Sequence, residues 1–301
     1  MSAQELAGVL KFLKENGPDL GVPPPQARAN FEVFIGKMPI AADLTFTPAD
    51  AGGVPGLWID APGARQDRVL LYYHGGAYVV GSAHGYRSLA GEFGRAAGAR
   101  SLAIDYRLAP EHPFPAGVDD ALSAYRWLLG RGVSPKSIVF GGDSAGGGIC
   151  MAVLMAARKA RLPLPAAALL ICPWLDLDCS GASVEGKKGA DPSFPIEGLE
   201  FMATLYRGTP AAADPGGLLT PLQADLSCLP PLLIQVGSAE LLLDDSTRLA
   251  TRAAAGDVAV RLEVWPNMVH DWHMFAPILG EGRDAIATAG AFLKARMEAA
   301  G

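Results

Sequence analysis

The chain is expected to fold as one α/β domain, a mostly parallel sheet covered on both faces by helices. Three observations carry this. Short apolar runs alternate with helical patterns of ten or more residues, an order that requires parallel strands joined by crossover helices. Residues 69–73 are apolar without interruption, as a strand covered on both faces must be. Residues 137–140 run through a glycine-rich turn, 141–148, into a helical pattern carried by Ile149, Cys150, Val153, Leu154 and Ala157. Strand, sharp turn and helix follow one another there without a linker.

Taken in order, residues 3–16 place Leu6, Leu10 and Leu13 on one face and predict an amphipathic helix, ended by Asn16, Gly17 and Pro18. Three prolines, 23–25, separate it from a second helical pattern containing Phe31, Phe34 and Ile35. Both segments precede the first expected strand, at 57–59, so residues 1–45 read as an added cap segment and 46–301 as the catalytic domain. After the run at 69–73 come a helix at 85–97, a strand at 101–104, a helix at 118–129 and the strand before the glycine turn. Further strands are expected at 166–172, 232–236 and 260–264, with helices between them and a last helix at 283–299. The stretch 178–230 breaks the alternation: it holds a helical pattern at 197–206 and no strand. A structureless loop of that length is improbable in a compact domain. It reads as an insertion that joins the amino-terminal helices in roofing a pocket above the carboxyl ends of the strands, with Phe31, Phe34, Phe194 and Tyr206 setting its width.

Composition narrows the function classes. Half of the 301 residues are hydrophobic and 19% are charged, a profile for a large core and not for disorder. A net charge of -6 with no cluster of lysine and arginine argues against nucleic acid as a partner. Glu5, Lys11, Lys14 and Glu15 interrupt the start, which therefore lacks a signal peptide's apolar core. No apolar run is long enough to span a membrane. Cys150, Cys172, Cys179 and Cys228 show neither paired spacing nor a histidine pattern. Reduced thiols in a cytoplasmic protein without zinc are the expectation. A homodimer is one arrangement the sequence allows.

The chemistry centres on Ser144, flanked by Gly142 and Gly146 at the tip of the glycine turn, the strand-turn-helix context that a nucleophile elbow needs. A serine hydroxyl is a poor nucleophile near neutral pH and requires a base, which in turn requires an orienting group. Of five histidines, His74, His84 and His112 lie in loops earlier in the chain. His270 and His273 follow the last strand, and His270 is delivered first, with His273 left to packing. The acid is expected after the strand at 232–236. Glu240 stands nearest the strand end, Asp244 is the alternative, and Asp244 and Asp245 also suit the start of a helix. Donors for a developing oxyanion would come from the backbone N–H of Ala145 and from Gly75, Gly76 and Ala77, where a glycine pair after a buried strand exposes backbone N–H groups.

These residues resemble a known family. His74-Gly75-Gly76 precedes the elbow Gly142-Asp143-Ser144-Ala145-Gly146. Between them stand Asp105-Tyr106-Arg107-Leu108-Ala109-Pro110-Glu111 and His112-Pro113-Phe114-Pro115-Ala116. The set is similar to the hormone-sensitive-lipase-like branch of the α/β-hydrolases, the bacterial family IV esterases. The resemblance implies Ser144 as nucleophile, His270 as base and the position of Glu240 as acid. It also implies a helical cap, no cofactor, and hydrolysis of esters with short to medium acyl chains. Family members more often carry aspartate at the position of Glu240 and a third glycine at that of Ala77. The segment from Asp105 to Glu111 would brace the oxyanion loop. Lactones would use the same triad. A non-catalytic receptor on this fold would be expected to lack a triad member, and an interfacial lipase would use the first helix to meet lipid.

Overall fold

The computed structural model describes residues 3–193, 195–208, 213, 214 and 216–299. Two helices, α1 (Ala3–Asn16) and α2 (Pro24–Ile35), come before any strand. Three strands follow, β1 (Thr45–Asp50), β2 (Pro55–Asp60) and β3 (Arg65–Tyr73). Strand and helix then alternate through α3 (Arg87–Ala97), β4 (Ala99–Ile104), α4 (Ala116–Gly130), β5 (Ile138–Asp143), α5 (Ala145–Lys159) and β6 (Ala167–Ile171). The insertion contributes α6 (Ala182–Gly186) and α7 (Ile196–Arg207), and the chain closes with β7 (Leu232–Gly237), α8 (Leu243–Ala255), β8 (Val260–Trp265) and α9 (Gly280–Ala299).

All eight strands form one sheet in the spatial order β1, β2, β4, β3, β5, β6, β7, β8. From β4 to β8 every pairing is parallel. The other edge departs from the expected alternation, because β2 runs antiparallel to β4 and β1 antiparallel to β2. Nothing in the sequence announces β1: five of its six residues are exposed and the sixth is intermediate. An edge strand with no buried face has no period-two pattern to read, and Pro48 is tolerated there because an edge leaves one side unpaired.

Chain order and spatial order together locate the crevice. From β3 the chain steps outward to β4 through α3, then returns past β3 to β5 through α4. Right-handed crossovers in opposite directions place α3 and α4 on opposite faces. The strand order reverses between β3 and β5, where open α/β sheets bind ligands at their carboxyl ends. On one face α3 packs against α9, and on the other α4 packs against α5. Leu70, Leu71, Tyr72, Tyr73, Val139 and Phe140 are wholly buried between these layers.

The amino-terminal helices pack on this body. Val9 and Leu13 of α1 are buried, Leu6 and Leu10 lie against the core, and Phe12 meets Phe275 edge-on at 5.8 Å. The leucine face is therefore packed against protein, fully at Val9 and Leu13 and in part at Leu6 and Leu10. Among the described residues no helix is long and apolar enough to cross a membrane.

The α3–α9 contact depends on a missing side chain. A Cβ on Gly290 would lie 2.3 Å from the Ala96 Cβ and 2.5 Å from its carbonyl carbon. Gly290→Leu is expected to force the two helices apart and to destabilise the fold by about 1–3 kcal/mol, seen as a melting temperature lower by several degrees. An unchanged melt would show that the helices separate freely.

Candidate active site

Four neighbouring strands, β3, β5, β6 and β7, together with β8 at the edge, end on one side of the sheet, and each delivers part of the site. At the end of β5, Ser144 takes φ 51° and ψ -120°, a strained region that costs a residue with a side chain on the order of 1–3 kcal/mol. Four backbone bonds hold it there. Its N–H donates to Ile171 O at 2.8 Å, and its carbonyl accepts from Gly147 (3.0 Å), Gly148 (3.3 Å) and Trp174 (2.9 Å). Both flanking glycines are sterically required: a Cβ on Gly146 would stand 2.0 Å from the Tyr73 carbonyl oxygen, and one on Gly142 2.3 Å from that of Gly146.

Beyond β3 the loop 74–81 folds back over the strand, with Gly76, Ala77 and Tyr78 at φ 108°, 52° and 64°. Asp143, the fully buried residue before Ser144, accepts from the Tyr72 hydroxyl at 2.7 Å and from the Gly75 N–H at 3.1 Å. This corrects the expectation for Gly75. Its N–H is committed to a carboxylate and is not available to an oxyanion; its glycine is needed because a Cβ would lie 2.1 Å from Asp143 Oδ2. Gly76 and Ala77 line the same cavity as Ser144, and neither donates to a backbone carbonyl among the described residues. Ala145 opens α5, where an N–H has no intrahelical acceptor. The segment after β4 supports the loop: Asp105 accepts from Ala83 N–H at 2.6 Å, the Tyr106 hydroxyl donates to His74 O at 2.6 Å, and Ala109 N–H donates to Tyr78 O at 3.0 Å.

Three residues past β7, Glu240 is fully buried. Its Oε1 accepts from the Gly237 N–H (2.5 Å) and the Cys172 thiol (2.9 Å), which leaves Oε2 at 2.8 Å from His270 Nδ1. Asp244 is turned elsewhere and accepts from Ser183 N–H at 2.9 Å; Asp245 accepts from the N–H groups of Leu175 and Asp176. The loop after β8 brings in His270, whose backbone N–H donates to Asp191 of the insertion at 2.6 Å. Its Nε2 lies 3.2 Å from Asp271 Oδ2. The ring is thus flanked by a carboxylate on each nitrogen. Burial alone disfavours the imidazolium, but the Asp271 and Glu240 carboxylates outweigh it and raise the His270 pKa well above its ordinary value. His273 is pushed by burial the other way, to about 3. Its Nε2 meets Gln235 Oε1 of β7 at 3.0 Å, so it ties the histidine loop to the sheet as a neutral ring.

Ser144, His270, Asp271, Gly76 and Ala77 open on one cavity of about 50 Å³. Leu13, Leu20, Phe31 and Phe34 from the amino-terminal segments, with Ser193 and Leu199 from the insertion, close it from above. Tyr206 is placed differently from the sequence expectation: it stacks on Tyr78 of the loop 74–81, centroids 3.8 Å apart, and does not line this cavity. Phe194 lies outside the described residues. Cys172, Glu240 and His270 bring their donor atoms within 4.8 Å of one another, the spacing of a metal site. Each is already joined to another by a hydrogen bond, and the fit is that of a proton network.

The comparisons with known proteins point the same way as this geometry. A family model described as alpha/beta hydrolase fold matches residues 70–274. An acetyl-hydrolase of Streptomyces hygroscopicus is 49% identical over 233 residues, 77% of each chain. An esterase of Acinetobacter venetianus is 31% identical over 280 residues, 93% of this chain and 91% of its own. The crystal structure of an esterase from the bacterial hormone-sensitive lipase family superposes with a TM-score of 0.93 at 45% identity, covering 99% of both chains. The chain belongs to the hormone-sensitive-lipase-like α/β-hydrolases. Within that family it is a carboxylesterase.

Four residues of this hydrolase site were not singled out from sequence. Asp143 stands inside the elbow motif and Asp271 beside the histidine, so adjacency was a usable signal for both. Cys172 directly follows β6, the neighbour of β5, a position that a prediction of sheet order would have revealed. Asp191 comes from the irregular insertion and left no trace in the pattern.

The flanking carboxylates set the pH dependence. A base must lose its Nε2 proton before it can accept one, and a raised pKa delays that loss to higher pH. Activity is therefore expected to fall as pH drops through an acidic limb displaced upward. Asp271→Asn removes one of the two raising charges and is expected to move that limb down by about one pH unit or more. A pH profile of kcat/KM for both proteins checks this; coincident limbs would show that Asp271 does not act on the imidazole.

Proposed function

We propose that the protein cleaves esters of short to medium acyl chains, the shortest best, through an acyl-enzyme on Ser144. In this reading residues 1–45 and 178–230 form the cap of a catalytic domain spanning 46–301. Ser144 Oγ attacks the carbonyl carbon as its proton passes to His270 Nε2. The N–H groups of Gly76, Ala77 and Ala145 take up the negative charge on the former carbonyl oxygen. The bond to the alcohol then breaks while His270 returns the proton to the leaving alkoxide. Water repeats the sequence and releases the carboxylic acid. Glu240 holds Nδ1–H throughout, fixing the tautomer and offsetting the positive charge of the ring.

One observation carries the proposal. A serine held in a strained elbow opens on the same cavity as an imidazole whose far nitrogen is 2.8 Å from a buried glutamate. The acyl preference is supported by size, since about 50 Å³ is room for on the order of four waters. The similarity to an acetyl-hydrolase agrees with it.

Ser144→Ala is expected to reduce turnover of p-nitrophenyl acetate by at least about 10³-fold while leaving the melting temperature near that of the parent. Retained turnover would remove the serine from the mechanism. Glu240→Gln is expected to lose about 10²-fold or more, and Asp244→Asn only a few-fold. The opposite ranking would transfer the acid to Asp244.

A further inference from the structure

The cavity that holds Ser144 has a wall that is also the wall of another space. Tyr86 and Met274 line the catalytic cavity of about 50 Å³ and, on their far side, a second cavity of about 360 Å³. The far cavity is apolar, bounded by Ile35, Met38, Ile40, Leu89 and Ile286. The two charges at its edge already have partners: Glu92 is 3.3 Å from Arg95, and Arg283 donates to the Ala276 carbonyl at 2.8 Å. Glu92 is thereby neutralised and the rest of the lining is mostly apolar, which makes the space suited to hydrocarbon.

The two residues of the partition differ in stiffness. Tyr86 is 2% exposed and held between Phe31 and His74, with ring centroids at 6.2 and 5.6 Å. Met274 belongs to the short turn Trp272–Phe275, is only half-buried, and is fixed through its backbone N–H, which donates to Asp271 O at 3.0 Å. Its thioether side chain has three rotatable bonds and no polar anchor. One half of the wall is rigid and the other can yield.

We propose that Met274 is the residue that limits acyl length, because its side chain closes the passage between the catalytic cavity and the second apolar cavity. With the thioether across the passage the site takes acetyl-sized groups. When it swings aside, the alkyl chain of a longer ester runs past Tyr86 toward Ile40 and Ile286. This inference rests on the ester-hydrolase reading above, and the two fail in different ways.

The test is a series of p-nitrophenyl esters from acetate to decanoate, measured as kcat/KM on the full chain. Met274→Ala is expected to raise the octanoate-to-acetate ratio about tenfold or more, because methylenes of the longer chain leave water for the apolar cavity. Adding Ile40→Trp, which lies in the far cavity and is 38% exposed, is expected to return that ratio to the parent value. Met274→Leu, similar in volume but less pliant, is expected to push the ratio below the parent. An unchanged ratio in Met274→Ala or Met274→Leu, or a gain that survives Ile40→Trp, would overturn the inference. Loss of acetate turnover in the parent protein would instead overturn the ester reading.

Discussion

The contact on which the site depends is the approach of two backbones, the first turn of α5 against the end of β3. Gly146 leaves only 2.0 Å between an ideal Cβ position and the Tyr73 carbonyl oxygen, so the two segments meet without any side chain between them. That approach forces the chain to reverse within one residue, and Ser144 takes the left-handed φ the reversal demands. The same contact sets the elbow next to the loop 74–81, because both emerge from adjacent strands. Strain of this kind persists where surrounding bonds over-determine it. Here the Ile171 carbonyl and the N–H groups of Gly147, Gly148 and Trp174 do so.

Around that contact lies an unusual density of buried acid. Asp143, Glu240, Asp191 and Asp271 are each at most 7% exposed, and an isolated buried carboxylate would be costly. Each is tied to backbone or to the imidazole ring. Asp143 draws the loop 74–81 to the elbow through Gly75, Glu240 and Asp271 flank the imidazole, and Asp191 holds the His270 backbone from above. The loops after β3 and β5 are thereby fastened to each other, and those after β7 and β8 to each other and to the insertion, by contacts with buried carboxyl groups. The arrangement leaves His270 biased toward its charged form, so the electrostatics that assemble the site also oppose its use as a base at low pH.

The roof follows a different logic. Its contacts with the body are mainly apolar, through Leu13, Phe31 and Phe34 from one end of the chain and Leu199 from the insertion. Arg28 of α2 adds a polar tie, reaching the carbonyls of Val79 and Ala109 and the carboxylate of Glu111. Tyr206 stacking on Tyr78 links α7 directly to the loop 74–81. Of the α7 residues only Leu199 lines the cavity, so the helix meets the site both there and through the Tyr78 ring.

The amino-acid sequence by itself determined the layered α/β plan, the elbow and its two glycines, and the order in which serine, acid and histidine occur. These are legible because they arise from local periodicity or from glycine where a turn admits no Cβ. It did not reveal β1, which lacks a buried face, nor that β2 runs antiparallel to β4. The separation of Glu240 from Asp244 was likewise a tertiary decision. Both follow the same strand and stand four residues apart, and only the position of the β8 loop turns one toward His270 and leaves the other beside Ser183. The withdrawal of Gly75 from the oxyanion donors, the pairing of Asp271 with the ring, the reach of Asp191 and the placing of Tyr206 against Tyr78 have the same origin. Each is a contact between segments far apart in the chain or a choice among neighbouring groups, and a pattern along one dimension carries no record of which partner lies nearest in three.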